Sequence, residues 1–289
     1  DPRAIYSKKI CFSRLCVRAG ATSDFAEPLE ETMIKALARF AVVDSRRWIR
    51  FLLGLLPKLD NTDFAALPPV EQRMLQMFYV TLWGKTAESW EDEEVLDNLY
   101  ALSDSPVLLG ELQALLQYQY DRIDFIDEPV DVGFDCPLDL HCTYTRDQIL
   151  IAMDYMTPKN VREGVKWLPD KQVDVFFITL NKADKDYSPT TMYNDYSINE
   201  SLFHWQSQST TSDTASTGQR YINHRQRGSK VVLFVREFKQ DSIGAAPYTC
   251  LGTAAYVKHT GSKPMNITWH LDQPIPAKYL RKTNKLVVG

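Results

Sequence analysis

The spacing of apolar residues changes once along this chain of 289 residues, and that change limits the folds open to it. Up to about residue 130, apolar residues recur every three or four positions, as in "EPLEETMIKALARF", which is the period of an amphipathic helix. From about residue 145, short β-prone runs such as "VDVFFITL" and "KVVLFVRE" are separated by turn-rich stretches. The sequence therefore predicts an α+β protein, with an all-α region followed by a β-rich one.

The predicted boundaries follow from this change of period. Residues 1–130 form a helical domain of about five helices, residues 131–143 are an aperiodic connector, and residues 144–289 form the β-domain. The β-domain opens with a short helix, because Thr145 and Gln148 have the spacing of a capping box. Five or six short strands with long loops are typical of a small β-barrel or half-open barrel.

Charge is distributed unevenly between the two halves. From Tyr144 onward there are 19 basic and 13 acidic residues, whereas the preceding residues carry 14 basic and 24 acidic ones. A basic half suits a polyanionic partner, so nucleic acid is expected to bind the second half. No apolar run approaches the ~18–20 residues that cross a membrane, so we expect no membrane partner. The five cysteines contain no C-x-x-C pair, which indicates free thiols in a reducing cytoplasm and no zinc site.

The stretch "LFHWQSQS" carries the first candidate site. In a strand its side chains alternate, so that Phe203, Trp205 and Ser207 face one way and His204 and Gln206 face the other. Imidazole and amide groups are neutral donors and acceptors of the kind that read base edges. Phe203 and Trp205 have a plainer interpretation as core residues.

An aromatic loop, "YNDY", precedes that strand. Two tyrosine rings can sandwich a planar base, and a carboxylate can accept a hydrogen bond from the amino group of cytosine. The alternative is a loop whose tyrosines pack on the β-domain. The predicted base pocket comprises Tyr193, Asp195, Tyr196, His204, Trp205, Gln206 and Ser207.

Hydroxyl groups and positive charges follow the aromatic strand, and they suit contacts to phosphates. His224 lies among them and is expected in a surface turn. The predicted contacts to the DNA backbone are Lys182, Ser209, Thr210, Arg220, Arg225, Arg227 and Lys230.

Two other functions stay open from the residues alone. Glu237 and Lys239, one residue apart at a strand end, could hold a metal ion and activate water if Asp174 or Asp195 came from a neighbouring strand. That arrangement would make the chain a metal-dependent nuclease. The third possibility is a protein-interaction module that binds no DNA.

Several motifs of the second half occur together in one known family. They are "YTRDQIL", "REGVKWLPDKQVDVFFITLNK", "DYSPTTMYNDYSINESLFHWQSQS", "TGQRYINH", "LFVRE" and "GSKPMNITWHL". In this combination the sequence from Tyr144 to about Ala277 resembles the C-terminal domain of SauUSI-like type IV restriction enzymes. Those enzymes fuse a phospholipase-D-like nuclease and a DEAD/DEAH helicase to this domain, which is similar to SRA and other PUA-like barrels.

The resemblance implies recognition of double-stranded DNA that carries 5-methylcytosine or 5-hydroxymethylcytosine, in the bacterial cytoplasm. This chain has neither helicase motifs nor the H-x-K motif of the nuclease. We therefore expect it to bind without cutting, to hold no catalytic residue, metal or cofactor, and to work with nuclease and helicase domains of the same polypeptide. ATP and a divalent metal are expected only for that parent enzyme.

Overall fold

The computed structural model describes residues 1–181, 195–241 and 244–283. The chain divides into two compact units. The first contains Asp1–Pro129, Asp135–Lys159 and Ser242–Gly244, and the second contains Val130–Phe134, Asn160–Asp241 and Ala245–Gly289. Residues 135–159 thus group with the helices.

The first unit is built from helices. They are α1 (Arg3–Tyr6), α2 (Phe12–Arg18), α3 (Glu30–Phe40), α4 (Arg46–Leu55), α5 (Pro69–Trp83), α6 (Glu93–Tyr100), α7 (Pro106–Tyr120) and α8 (Arg146–Ala152), with short 3-10 turns at Leu56–Asn61, Phe64–Ala66 and Pro158–Asn160 and a two-residue strand, β1 (Thr143–Tyr144). No helix in the described ranges is both long and apolar enough to cross a membrane.

Local signals explain where these helices begin and end. The Ser45 hydroxyl accepts from the backbone N–H of Trp48 at the start of α4. Helix α5 ends at Gly84, whose φ of 67° is left-handed and favours glycine. The predicted capping box between Thr145 and Gln148 is confirmed at the start of α8.

The second unit contains a mixed sheet. Its elements are β2 (Val165–Leu168), β3 (Val173–Thr179), β4 (Tyr196–Ser197), β5 (Leu202–Gln206), α9 (Ser216–Asn223), β6 (Lys230–Arg236), β7 (Gln240–Asp241), β8 (Gly244–Ala245), β9 (Tyr248–Thr260), β10 (Asn266–Leu271) and α10 (Ala277–Thr283). The main sheet has the strand order β2-β3-β6-β9-β10-β5-β4; among these described pairs β3–β6 is parallel and the others are antiparallel.

One face of this sheet carries the core of the second unit. Side chains from alternate positions of β3, β5, β6 and β10 bury their apolar surface there, and Tyr221 of α9 and Tyr279 and Leu280 of α10 pack against them. Phe203 and Trp205 belong to this core, as the alternation in β5 predicts, and His204 and Gln206 point to the opposite face.

The prediction of an α+β chain with helices first and strands second is confirmed, but the described residues form no closed barrel. The sheet runs openly from β2 to β4, and these two end strands do not pair with each other. Two helices cover the core face instead, so the apolar side chains are buried without closure of the sheet.

Candidate nucleic-acid interface

The face of β5 that points away from the core carries a stacked pair of rings. Tyr196 of β4 is the cross-strand partner of His204, and their ring centroids lie 4.8 Å apart with an interplanar angle of 14°. Both side chains are half-buried. A π-face of this kind at the margin of a sheet can accept a nucleic-acid base by stacking.

Amide groups lie beside the ring pair on the same face. Gln206 pairs in register with Asn266 of β10, and its Nε2 atom donates to Asn266 Oδ1 at 3.1 Å. Side-chain amides offer both donors and acceptors, which is the chemistry that recognises a base edge. The structure therefore brings together Tyr196, His204 and Gln206 of the predicted base pocket.

Asp195 lies next to this face but is only 7 % exposed. Its Oδ1 atom accepts from the backbone N–H of Gln206 at 2.9 Å. The carboxylate thereby satisfies a backbone donor just beyond the short strand β4, which is a structural task. Any contact with a base would come in addition to that hydrogen bond.

Trp205 lies in the core and not on the polar face. The side chain is 5 % exposed, and its ring centroid is 4.4 Å from that of Phe176 and 5.6 Å from that of Tyr221. Ser207 is buried as well, and its hydroxyl accepts from the backbone N–H of Met265. These two residues support the strand from behind and offer no open surface for stacking.

Two residues of the predicted site, Tyr193 and Lys182, lie outside the described residues. Ser209 and Thr210 are exposed in the loop after β5. That loop is joined to the β9–β10 turn, because the backbone N–H of Lys263 donates to Thr211 O and the Ser262 hydroxyl donates to Asp213.

Arg220 makes a buried ion pair instead of facing solvent. Its Nε and Nη2 atoms donate to the two carboxylate oxygens of Asp174 at 2.8 and 2.9 Å, and its guanidinium stacks over Trp167. Burial raises the pKa of Asp174, and the arginine opposes that effect. Arg220 thus ties α9 to β2 and β3, and a phosphate contact would require this pair to break.

Arg225 and Lys230 line a cavity of about 280 Å³ at the end of α9. Each cation has an acidic partner, since Arg225 binds Asp272 at 2.9 Å and Lys230 binds Asp131 at 3.1 Å. Arg227 is exposed, and its side chain has no ion pair or hydrogen bond within the described part of the chain. Among these three residues, Arg227 is therefore the cation whose charge is not neutralised by a bound neighbour.

The residues of the hypothetical nuclease site do not come together. Asp174 is level with Val231 in the parallel β3–β6 pair, whereas Glu237 lies six residues further along, a separation of about 20 Å at the rise of a strand. Asp195 belongs to the β4–β5 margin, several strands from β6. Within the described ranges, no cluster of three or more His, Cys, Asp or Glu residues could hold a metal ion.

Sequence reasoning missed the contribution of β9 and β10 to the polar face. Asn266 and Thr268 of β10 pair with Gln206 and His204, and Lys258 of β9 pairs with Thr268. The polar positions of "MNITWHL" alternate with its apolar ones, and this pattern indicates a polar face. Which strands adjoin cannot be read from the alternation.

Comparison with known proteins gives a family but no described function. No curated protein matches the chain. The family described as a domain of unknown function (DUF3427) matches residues 138–282, just over half of the sequence and nearly all of the sheet and its covering helices. The chain therefore belongs to the DUF3427 family.

Proposed function

We propose that the chain is the DNA-recognition part of a SauUSI-like, modification-dependent type IV restriction enzyme. Its second unit binds duplex DNA that carries 5-methylcytosine or 5-hydroxymethylcytosine. Nuclease and helicase chemistry, with ATP and a divalent metal, then belongs to other domains of the same bacterial, cytoplasmic polypeptide. DUF3427 domains occur in helicase-associated proteins, which supports this arrangement.

The observation that carries the proposal is the stacked pair of Tyr196 and His204 beside the amides of Gln206 and Asn266. Aromatic surface and amide groups adjoin on one sheet face that lies opposite the core. The net positive charge of the second half suits the phosphate backbone. Stacking surface, edge-reading groups and positive charge are the three requirements of base recognition.

A base inside a duplex exposes its edges but not its faces. A base that stacks on Tyr196 must therefore leave the helix, at a cost of a few kcal/mol. Stacking on an aromatic ring returns about 1–3 kcal/mol, so hydrogen bonds to the base edge have to supply the remainder. Burial of a 5-methyl group adds only about 0.8 kcal/mol, a factor of about four in affinity. Strong discrimination between modified and plain cytosine therefore requires a pocket that plain cytosine leaves partly empty.

A binding titration tests the proposal directly. The chain is titrated against duplexes of one sequence that contain unmodified, 5-methyl, 5-hydroxymethyl or glucosylated cytosine, with magnesium present. We expect tighter binding to a modified duplex and no cleavage. Equal affinity for every duplex would contradict the proposal. Cleavage would favour the nuclease, and absence of DNA binding would favour a protein-interaction module.

The role of the ring pair is tested with two substitutions at one position. Tyr196→Ala removes the stacking surface and is expected to weaken binding to modified DNA roughly 5- to 150-fold, which corresponds to about 1–3 kcal/mol. Tyr196→Phe keeps the ring and serves as the matched control. Equal losses in the two variants would show that the hydroxyl group, and not the ring face, carries the contact.

A further inference from the structure

The row of cross-strand partners that begins at Tyr196 and His204 continues across two more strands. His204 pairs with Thr268 of β10, and Thr268 pairs with Lys258 of β9. Directly paired residues of antiparallel strands project from the same face of a sheet. Lys258 therefore lies on the polar face, about 10 Å from His204 and about 14 Å from Tyr196 at the usual strand spacing.

Lys258 differs from most basic residues of this unit in its surroundings. The side chain is exposed, and it makes no ion pair, hydrogen bond or ring contact with the described parts of the chain. Arg220, Arg225 and Lys230 are each bound to an aspartate. The charge of Lys258 is thus available to a ligand without the loss of an internal partner.

The backbone around Lys258 is held from the core side. The register of β9 against β10 shifts between Thr268 and Trp269, so that Val257 is the extra residue of a β-bulge. The backbone N–H of Tyr256 donates to the Nε2 atom of the buried His224 at 3.1 Å. Bulges redirect neighbouring side chains and are frequent beside functional sites. The position of Lys258 is therefore fixed by packed structure and not by a loose loop.

We propose that Lys258 binds a backbone phosphate of the DNA strand whose base stacks at Tyr196 and His204. This assignment rests on the proposed function and adds a residue from a different strand to the site. An ammonium group binds phosphate as a point charge, and the long side chain can span part of the distance from β9 to the ring pair. Thr268 lies between His204 and Lys258 in this row of cross-strand partners. Its side chain is short and only 8 % exposed.

The test compares Lys258→Ala and Lys258→Gln with Lys58→Ala in the full chain. Lys58 is also exposed and lacks a side-chain partner in the described ranges, but it lies in the helical unit, so both alanine variants change net charge equally. Dissociation constants for a duplex containing 5-methylcytosine are measured across a series of salt concentrations, with thermal melts as a folding control.

Loss of one phosphate contact is expected to reduce the slope of log K against log salt by about 0.9 in both Lys258 variants and to leave the Lys58→Ala slope unchanged. A slope for the Lys258 variants equal to that of Lys58→Ala would overturn the assignment and leave the proposed function standing. If the unsubstituted chain bound none of the duplexes, the proposed function would fail and the assignment with it.

Discussion

Arg220 and Asp174 form an ion pair in which the carboxylate is fully buried. Removal of one member of such a pair leaves the other charge desolvated, which costs about 3–5 kcal/mol. We expect Asp174→Ala to lower the free energy of unfolding by that amount in urea denaturation. Glu31→Ala, which breaks an exposed ion pair with Lys35, is the control and is expected to have little effect on stability, because water screens the pair. Similar losses in the two variants would contradict the structural role of Arg220.

The buried ring of His224 leads us to expect that the stability of the protein depends on pH. Its ring is 2 % exposed, Nε2 accepts from Tyr256 N–H, and Nδ1 faces Ser229 O, which fits the neutral tautomer. Burial lowers the pKa of His224 from its ordinary value of 6.5; the hydrogen bond to Ser229 O and the charge of Asp272 oppose this effect, and nearby Arg225 strengthens it. The unfolded chain therefore binds the proton more readily, so His224 stabilises the fold above about pH 6.5 and this contribution is lost as the pH falls towards the lowered pKa.

The measurement is the free energy of unfolding between about pH 5 and pH 7, the range in which histidine side chains titrate, and comparison with a variant isolates the contribution of His224. His224→Gln carries no titrating ring, so its profile is expected to be flatter than that of the unsubstituted chain. Profiles of equal slope would show that His224 is not the group responsible. The expectation of a surface turn at His224 is wrong, because the ring is buried against Trp269 and accepts a hydrogen bond from the backbone N–H of Tyr256.

Alternation along β5 was enough to predict which side chains share a face, and the structure confirms it for Phe203, Trp205, His204 and Gln206. It was not enough to predict which face is covered. The sequence predicts Trp205 in the base pocket, yet Phe176 and Tyr221 of α9 pack against its ring. Burial depends on elements distant in sequence, and the local pattern contains no information about them.

Helix α9 is a whole element that the local sequence pattern does not predict. Its sequence "STGQRYIN" follows a run of hydroxyl residues and contains a glycine, so propensity favours a loop. Tertiary contacts override that preference, since Tyr221 enters the core and Arg220 binds Asp174. By contrast, α8 begins with a capping box, and α5 begins with prolines and ends at a left-handed glycine, so local signals predict these boundaries.

Gly218 of α9 gives a prediction about how this helix packs. A Cβ atom at Gly218 would lie 2.0 Å from the carbonyl oxygen of Ser212, far closer than atoms approach. Gly218→Ala is therefore expected to destabilise the protein by about 1–3 kcal/mol through overpacking. Gly110→Ala in α7 is the matched control, because no atom lies within 4 Å of the added methyl group, and it is expected to be neutral or to stabilise by up to about 1 kcal/mol. Thermal melts of the two variants distinguish these outcomes.

At the scale of the whole molecule, the spacing of apolar residues and the charge distribution predict a helical region followed by a β-rich one. The arrangement of the strands in the sheet could be seen only in the structure. The number of short strands is compatible with a barrel or with an open sheet, and the choice depends on what covers the apolar face. Here α9 and α10 cover it, and no strand pairing closes the sheet in the described residues. Whether residues 131–143 act as a connector stays a prediction.

The division of charge leads to the last prediction. If net charge alone governed DNA binding, loss of any exposed arginine would have the same effect. If the basic half carries the interface, only arginines of that half should matter. Substitutions of Arg227 and Arg18 distinguish these two possibilities. Both side chains are exposed and lack partners in the described ranges, but Arg18 lies on α2 of the acidic half.

We expect Arg227→Ala to weaken binding to modified and unmodified duplexes alike and to reduce the slope of log K against log salt by about 0.9. Arg18→Ala is expected to leave the affinity and the slope unchanged. Fluorescence titrations at several salt concentrations measure both quantities. Equal effects of the two substitutions would show that DNA senses only the total charge, and a loss confined to modified DNA would make Arg227 part of base recognition.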